Sequence, residues 1–156
     1  MSIPWEKTAM EIAGIYAERS HCKWFKVGAV FFVGDRIVAA GYNGPPRGEA
    51  HCDEVGCAKE RNGKRLPSGS GLCRGAHAEM NAIANAARVG VSLRGAWLAC
   101  TIFPCWECAK VLVNVGVSHV LFEKTYSDDD NRRTMEMFRR AGISFSQYLK
   151  GEKNET

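Results

Sequence analysis

The chain has 156 residues, of which 46% are hydrophobic and 24% are charged, and its formal net charge at pH 7 is +4. This composition is ordinary for a soluble globular protein, and no apolar run approaches the ~20 residues of a membrane-spanning helix. The mild positive charge suits a phosphorylated substrate or a nucleic acid, although slightly basic soluble enzymes are equally common.

The length predicts one domain over residues 1–150 with a polar tail at 151–156. The first seven residues lack the charged and then apolar layout of a signal peptide, so a cytoplasmic location is expected. In a reducing compartment the seven cysteines are interpreted as metal ligands and buried thiols rather than disulfides.

The pattern of apolar residues predicts alternating helices and strands along the chain. In chain order, we expect a helix over 5–19, strands over 27–33 and 36–42, a long polar segment over 43–75, a helix over 76–89 that Gly90 ends, a strand over 96–102, a helix from Cys105, a strand over 119–122, a helix over 131–141 entered through three aspartates, and a strand over 143–148. This order favours an α/β fold in which a mixed sheet of about five strands is sandwiched between helices.

Two short motifs supply residues that suit a catalytic metal site. His77, Cys105 and Cys108 are three candidate zinc ligands, and Glu79 is a carboxylate that is not needed as a ligand. A catalytic zinc has three protein ligands and an open fourth position, where it lowers the pKa of water to about 7. Cys105 and Cys108 share one face at the start of a helix. His77 and Glu79 converge only if His77 lies at or just before the first turn of its helix.

Each motif alone is weak evidence, because a single Cys-x-x-Cys is more often a redox pair or half of a structural zinc site. The two motifs in this order match the pattern of zinc nucleobase deaminases. With Gly41 to Gly48 and His51 to Glu54 added, the chain resembles the deoxycytidylate (dCMP) deaminases of the cytidine-deaminase-like superfamily over residues 5–148. The resemblance implies hydrolysis of dCMP to dUMP and ammonia, which supplies dUMP for thymidylate synthesis, with Glu79 as the acid–base residue.

The resemblance also implies contacts to the nucleotide. Asn43 would contact the sugar, Ala78 would line the site, Arg88 would hold the 5′-phosphate, and Tyr126 would close over the nucleotide. Each side chain has an alternative interpretation: Asn43 as a turn residue, Arg88 as an exposed helix arginine, and Tyr126 as a core or rim residue.

Four further cysteines suggest a second, structural zinc. Cys22, Cys52, Cys57 and Cys73 lie in or beside the long polar segment, with His51 as a reserve ligand. A long loop in a small domain needs a cross-link, and structural zinc usually has four Cys or His ligands. Cys22 and Cys52 match cysteine positions of a second zinc site in the family, but its histidines are not matched. The alternative is four reduced, partly buried thiols.

The family resemblance further implies a homo-oligomer, such as a hexamer, and control by dCTP and dTTP. Gly41, Gly44, Arg47 and Gly48 are the candidate effector-binding residues, because glycines allow close backbone approach and an arginine can meet a phosphate. The alternative is an active-site loop with turn glycines and no effector.

Two other functions remain open at this stage. One is a tRNA adenosine deaminase or another nucleotide deaminase. The tRNA enzymes share both zinc motifs, but the scattered basic residues make a nucleic-acid partner less favoured than a nucleotide. A non-catalytic zinc-binding assembly module is the alternative from another class. Such a module would not need Glu79 and would want a fourth protein ligand.

Overall fold

The computed structural model describes residues 2–67 and 70–151, and the predicted order of large elements is found there. The elements in chain order are α1 (Trp5–Glu18), β1 (Gly28–Val33), β2 (Arg36–Tyr42), α2 (Cys52–Val55), β3 (Glu60–Arg61), β4 (Lys64–Arg65), α3 (Ala78–Val89), β5 (Trp97–Ile102), α4 (Trp106–Val115), β6 (His119–Lys124), α5 (Asp128–Ala141) and β7 (Ser144–Gln147). Of the predicted tail, residues 152–156 lie outside the described residues. No helix in the described part is long and apolar enough to cross a membrane.

Five strands form one mixed sheet in the order β2-β1-β5-β6-β7. β1 is antiparallel to β2 and to β5, whereas β6 is parallel to both β5 and β7. The predicted mixed five-stranded sheet is therefore confirmed. Ile102 pairs with Lys124 at the carboxyl ends of β5 and β6, so the loops that follow these two strands lie side by side at one edge of the sheet.

Helices cover both faces of the sheet. Alternate residues of each strand point to opposite sides, and apolar side chains on both sides are buried under helices. On one face α1 packs Ala9, Met10 and Ala13 against Val30 and its neighbours. The other face carries a larger core to which α3, α4 and α5 all contribute, and this core includes Phe31. The candidate metal ligands belong to this second layer of helices.

Two glycines allow helices to press directly on the sheet. A Cβ at Gly28 would lie 1.8 Å from the carbonyl oxygen of Ala13, and one at Gly41 would lie 2.5 Å from the amide nitrogen of Ala82. Gly41 is buried against α3. Its predicted role in an effector site stays a prediction. The close approach at Gly41 is to a helix, because β2 and α3 have no room for a side chain between them.

The long polar segment has more structure than the sequence analysis predicted. It contains the single turn α2 and a small hairpin of β3 and β4. Asn62 and Gly63 form the hairpin turn with φ values of 52° and 73°. Positive φ at both positions is typical of a type I′ turn, for which Asn-Gly is the preferred sequence. That dipeptide is therefore a signal that the composition-based interpretation overlooked.

The predicted boundaries of two helices can be compared with the structure. α3 ends at Gly90 in the left-handed conformation, with φ of 71°, so the predicted stop is confirmed. α5 begins at Asp128 rather than at Asn131, which places all three aspartates inside its first turn. Negative charge at a helix N-terminus is favourable, because the unpaired N–H groups there carry partial positive charge.

Candidate metal centre and active site

The candidate ligands converge because two helices begin at the same place. His77 is the residue immediately before α3, and Cys105 is the residue immediately before α4. Both have extended backbone conformations, with φ and ψ of −69° and 156° for His77 and of −70° and 166° for Cys105. His77 thus lies just before the first helical turn, as its convergence with Glu79 requires. Two helix N-termini directed at one point also favour negative charge there.

The three ligand atoms are close enough for one metal ion. His77 Nδ1 lies 3.3 Å from Cys105 Sγ and 3.3 Å from Cys108 Sγ. Tetrahedral zinc with ordinary Zn–N and Zn–S bonds would hold such a pair of atoms about 3.6 Å apart. Within residues 2–67 and 70–151, this is the one group of three or more His, Cys, Asp or Glu side chains with ligand atoms within 4.8 Å of one another. The donor set therefore fits zinc.

The local electrostatics favour a thiolate. Hydrogen bonds from Cys108 and His77 lower the pKa of the Cys105 thiol to about 4. The hydrogen bond to Cys105 in turn raises the pKa of His77, and burial opposes this rise. The pKa of Cys108 is raised by its hydrogen bond to Cys105 and by burial, so Cys105 is the cysteine that ionises more readily. Thiolate is the form that binds metal.

Glu79 lies beside this group without belonging to it. Its side chain is only 4% exposed, and its Oε2 is 3.7 Å from Cys108 Sγ. Burial raises the pKa of the Glu79 carboxyl, because a low-dielectric environment disfavours the charged form. A buried carboxyl with a raised pKa next to a metal site is suited to accepting and donating protons.

Several residues that hold the two helix starts in place were missed by the sequence analysis. The side-chain Nδ2 of Asn81 donates to the backbone carbonyl oxygen of Tyr42 at 2.8 Å, and this hydrogen bond connects α3 to the end of β2. The Trp106 backbone N–H donates to Asp130 at 3.3 Å, and the Arg133 guanidinium lies 4.3 Å from the Trp106 ring centroid. The sequence offers no signal for these contacts, because they join residues distant in the chain.

Lys59 is a further residue that the sequence did not single out. It is only 6% exposed, although its neighbours belong to the polar segment. The positive charge of Lys59 lowers the pKa of His77, against the rise that the hydrogen bond to Cys105 causes. A lysine in a polar segment is normally expected at the surface, so composition gave no reason to select it.

The predicted nucleotide contacts have different surroundings. The Asn43 side chain accepts from the Val27 N–H at 2.8 Å and donates to the Phe25 carbonyl at 2.9 Å, which leaves one of its N–H groups for a ligand. Ala78 is fully buried in the first turn of α3. The Tyr126 hydroxyl accepts from both terminal nitrogens of Arg65 at 3.2 Å. Tyr126 follows β6 at the same edge of the sheet as Cys105, which follows β5.

Arg88 is not brought to the metal. It is exposed in the last turn of α3, about 16 Å along the helix axis from His77 at 1.5 Å per residue. The structure thus leaves the phosphate-binding prediction for Arg88 without a supporting contact.

The candidate effector residues are also spread out. Gly44 pairs with Ala76 directly before His77, while Arg47 and Gly48 are exposed in the loop beyond it. These positions and Gly41 do not form one common surface, because Gly41 is covered by α3.

The cysteines predicted for a second zinc do not meet as a set of ligands. Cys22, Cys52 and Cys57 line one cavity of about 1290 Å³, but exposed Cys73 does not line it. None of the four belongs to a group of ligand atoms within metal-binding distance among the residues described. His51 stacks on His21 with ring centroids 4.1 Å apart. The Arg74 guanidinium lies 3.9 Å from Cys52 Sγ.

Comparison with known proteins yields a consistent set of relatives. The sequence profile described as "Cytidine and deoxycytidylate deaminase zinc-binding region" matches residues 3–124. Deoxycytidylate deaminase of Schizosaccharomyces pombe is 33% identical over 150 residues, which are 96% of this chain and 46% of that protein. ComE operon protein 2 of Bacillus subtilis is 32% identical over 93% of this chain and 71% of its own length.

Solved structures agree with the sequence comparison. The dCMP deaminase of cyanophage S-TIM5, crystallised with dCMP and dUMP, matches with a TM-score of 0.77 and 27% identity, over 95% of this chain and 99% of that chain. By contrast, this chain spans about half the length of the deoxycytidylate deaminases of S. pombe and Saccharomyces cerevisiae, at 46% and 45%.

Proposed function

Because the chain belongs to the family of cytidine and deoxycytidylate deaminases that carry this zinc-binding region, we propose that it is a zinc-dependent hydrolase that converts dCMP and water to dUMP and ammonia. The observation that carries the proposal is the group of His77, Cys105 and Cys108 with the buried carboxyl of Glu79 beside it. The names of the relatives support dCMP as the substrate. The reaction would supply dUMP for thymidylate synthesis in the cytoplasm.

The proposed mechanism assigns one role to each residue. His77, Cys105 and Cys108 would hold zinc, which when bound supplies a water molecule of pKa about 7. Glu79 takes one proton from the attacking water and gives it to N3 of the base as the C4–O bond forms. It then takes the second proton from the hydroxyl on C4 and gives it to the amino group, which leaves as ammonia while the C4 carbonyl forms. The two helix N-termini stabilise the negative charge that develops during attack. Asn43, Ala78 and Tyr126 would line the nucleotide site, as the family resemblance implies.

A panel of substrates tests this function. Ammonia release is measured with cytosine and adenine nucleosides, their monophosphates and triphosphates, and a tRNA anticodon stem-loop. We expect dCMP to give the highest kcat/KM. Preference for the stem-loop would replace the proposal with a tRNA adenosine deaminase. No ammonia release from any of them by zinc-loaded protein would favour a non-catalytic zinc module.

We propose separately that a second zinc binds near Cys22, Cys52 and Cys57, with His51 or Cys73 completing the site. Support comes from the cavity that the three cysteines share, and from His51 Nδ1, which is buried without a hydrogen-bond partner in the described chain. Metal analysis should find two zinc ions per chain in the wild type and one in a Cys52→Ala, Cys57→Ala double variant. One zinc in both proteins would refute the second site.

We also propose that the protein is a homo-oligomer, such as a hexamer, regulated by dCTP and dTTP. The exposed Arg47 and Gly48 support an effector site on the loop, and Gly41 and Gly44 are its other candidate residues. The coupling free energy between two binding sites is typically about 1–3 kcal/mol, which is enough to change the apparent affinity for dCMP measurably. We expect sigmoidal dCMP kinetics that dCTP makes hyperbolic and dTTP suppresses. Hyperbolic kinetics indifferent to both triphosphates would rule out this regulation.

A further inference from the structure

We propose that Lys59 binds the 5′-phosphate of the nucleotide substrate, an inference that rests on the proposed function. Lys59 is only 6% exposed, and it has no ion pair and no side-chain hydrogen bond within residues 2–67 and 70–151. Lysine is almost never buried without a partner, because removing an ammonium from water is costly. An anion supplied by the ligand would provide the missing partner.

The position of Lys59 points to the substrate site rather than to the large cavity nearby. Cys57 and Glu60 line the cavity of about 1290 Å³, whereas Lys59 does not. The hairpin that follows Lys59 contacts the Tyr126 hydroxyl through Arg65 at 3.2 Å, and Tyr126 follows β6 at the sheet edge that bears Cys105. The Lys59 ammonium lacks a partner in the described chain but is not fully enclosed, so it keeps a small contact with solvent.

The segment that carries Lys59 is fixed in place before any ligand binds. The Leu66 N–H donates to the Lys59 carbonyl at 2.7 Å, and the Lys23 ammonium lies 2.8 Å from the Glu60 carboxylate. The Arg65 guanidinium donates to the Tyr126 hydroxyl and lies 4.7 Å from the Phe25 ring centroid. These contacts anchor both ends of the β3–β4 hairpin, so the lysine is positioned without further loss of chain entropy.

The chemistry of the ligand group follows from the missing partner of Lys59. A phosphate group has three acceptor oxygens and about two negative charges, which suits an unpaired ammonium. A nucleoside has no negatively charged group to pair with the lysine.

The test compares substrates that differ only in the phosphate. Lys59→Met and Lys59→Arg are assayed with dCMP and with deoxycytidine, and zinc content is measured for each. Because loss of a hydrogen bond to a charged group weakens binding roughly 10- to 150-fold, we expect Lys59→Met to lower kcat/KM for dCMP by that factor and leave deoxycytidine within about threefold. Lys59→Arg should retain most of the activity on dCMP.

Lys64→Met is the matched control, since Lys64 is an exposed lysine of the same hairpin and should show neither effect. A second readout separates ligand binding from a structural role. Lys59→Met should raise the melting temperature of the ligand-free protein, because it replaces an unpaired buried charge with an apolar chain of similar length. Equal losses with dCMP and deoxycytidine, or a lower melting temperature with unchanged substrate discrimination, would overturn the proposal.

Calorimetric titration with dUMP and deoxyuridine makes the test independent of turnover. If the wild type binds dUMP but does not deaminate dCMP, the proposed function fails, while a loss of dUMP affinity in Lys59→Met still supports the phosphate role. If Lys59→Met binds dUMP as tightly as the wild type does, the phosphate role is refuted whatever the activity.

Discussion

At the scale of single residues, the chemistry depends on one carboxyl group held next to three ligands but not among them. Glu79 is buried, and its Oε2 lies 3.7 Å from the sulfur of the Cys108 thiol. His77, by contrast, lies 3.3 Å from both cysteine sulfurs. The arrangement therefore separates metal binding from proton transfer, and substitutions should separate them as well.

Replacing Glu79 with Gln should leave zinc bound and abolish nearly all turnover. The amide has nearly the same shape but cannot accept the proton from water, and general acid–base residues typically contribute about 10²–10⁴-fold. Zinc content and kcat for dCMP are measured on the same preparation. Substantial activity in the zinc-loaded variant would remove Glu79 from the mechanism.

Replacing Cys105 or Cys108 with Ala should remove zinc and activity together. Two remaining ligands do not hold a tetrahedral site, because each structural or catalytic zinc needs at least three from the protein. Metal analysis after dialysis is the direct measurement, made on the same preparations that are assayed for activity on dCMP. Unchanged zinc content in both ligand variants would refute the ligand assignment.

At the scale of elements, the metal centre depends on how tightly α3 packs on β2. Gly41 faces the helix backbone at Ala78, which lies between His77 and Glu79 in sequence, and at Ala82 one turn further on. The contact is backbone against backbone, so neither side can yield by rotating a side chain. Displacement of α3 would therefore move a ligand and the proton-transfer residue together.

We expect Gly41→Ala to lower the free energy of unfolding by at least about 1–3 kcal/mol, the usual cost of overpacking, and to lower kcat as well. Gly14→Ala is a suitable control, since Gly14 lies within α1 with open space around it. That variant should gain roughly 0.5–1 kcal/mol from helix propensity and keep full activity. Denaturant unfolding of both variants measures the difference, and equal stability of the two would contradict the packing argument.

At the scale of the whole molecule, the sheet contains a titratable side chain far from the metal centre. His119 on β6 has one ring nitrogen 2.6 Å from the Ser144 hydroxyl and the other 2.8 Å from that of Ser146, and its ring centroid is 4.2 Å from that of Trp97. Burial lowers the pKa of His119, while the charge of Glu6 opposes this shift. The folded protein thus favours neutral His119.

This shift predicts a loss of stability in acid. As the pH falls below about 6.5, His119 becomes protonated in the unfolded chain. In the folded chain it becomes protonated only at a lower pH, because its pKa there is lower. The stabilisation is therefore present above pH 6.5 and is lost as the pH falls through that window. Urea unfolding of the zinc-loaded protein at pH 8 and pH 5.5 should show a smaller decline for His119→Gln than for the wild type. Identical declines would show that His119 does not contribute.

Much of this protein was predictable from local sequence. Periodic apolar residues and dense β-branched runs indicated the helices and strands, and Gly90 marked the end of α3 because only a left-handed residue closes that helix. The motif around His77 and that around Cys105 were recognisable because a zinc site needs particular ligand types at the first turn of a helix. These features depend on residues within one or two helical turns of each other, so they can be predicted from a short stretch of sequence.

Tertiary structure decided the features that depend on residues distant in the chain. Two helix N-termini bring His77 within 3.3 Å of Cys105, and β2 can approach α3 because Gly41 has no side chain. Lys59 gave no local sign of burial, since its neighbours in sequence are polar and its burial comes from residues distant in the chain. Burial and charge pairing are sums over neighbours in space, so they become defined only when the chain has folded.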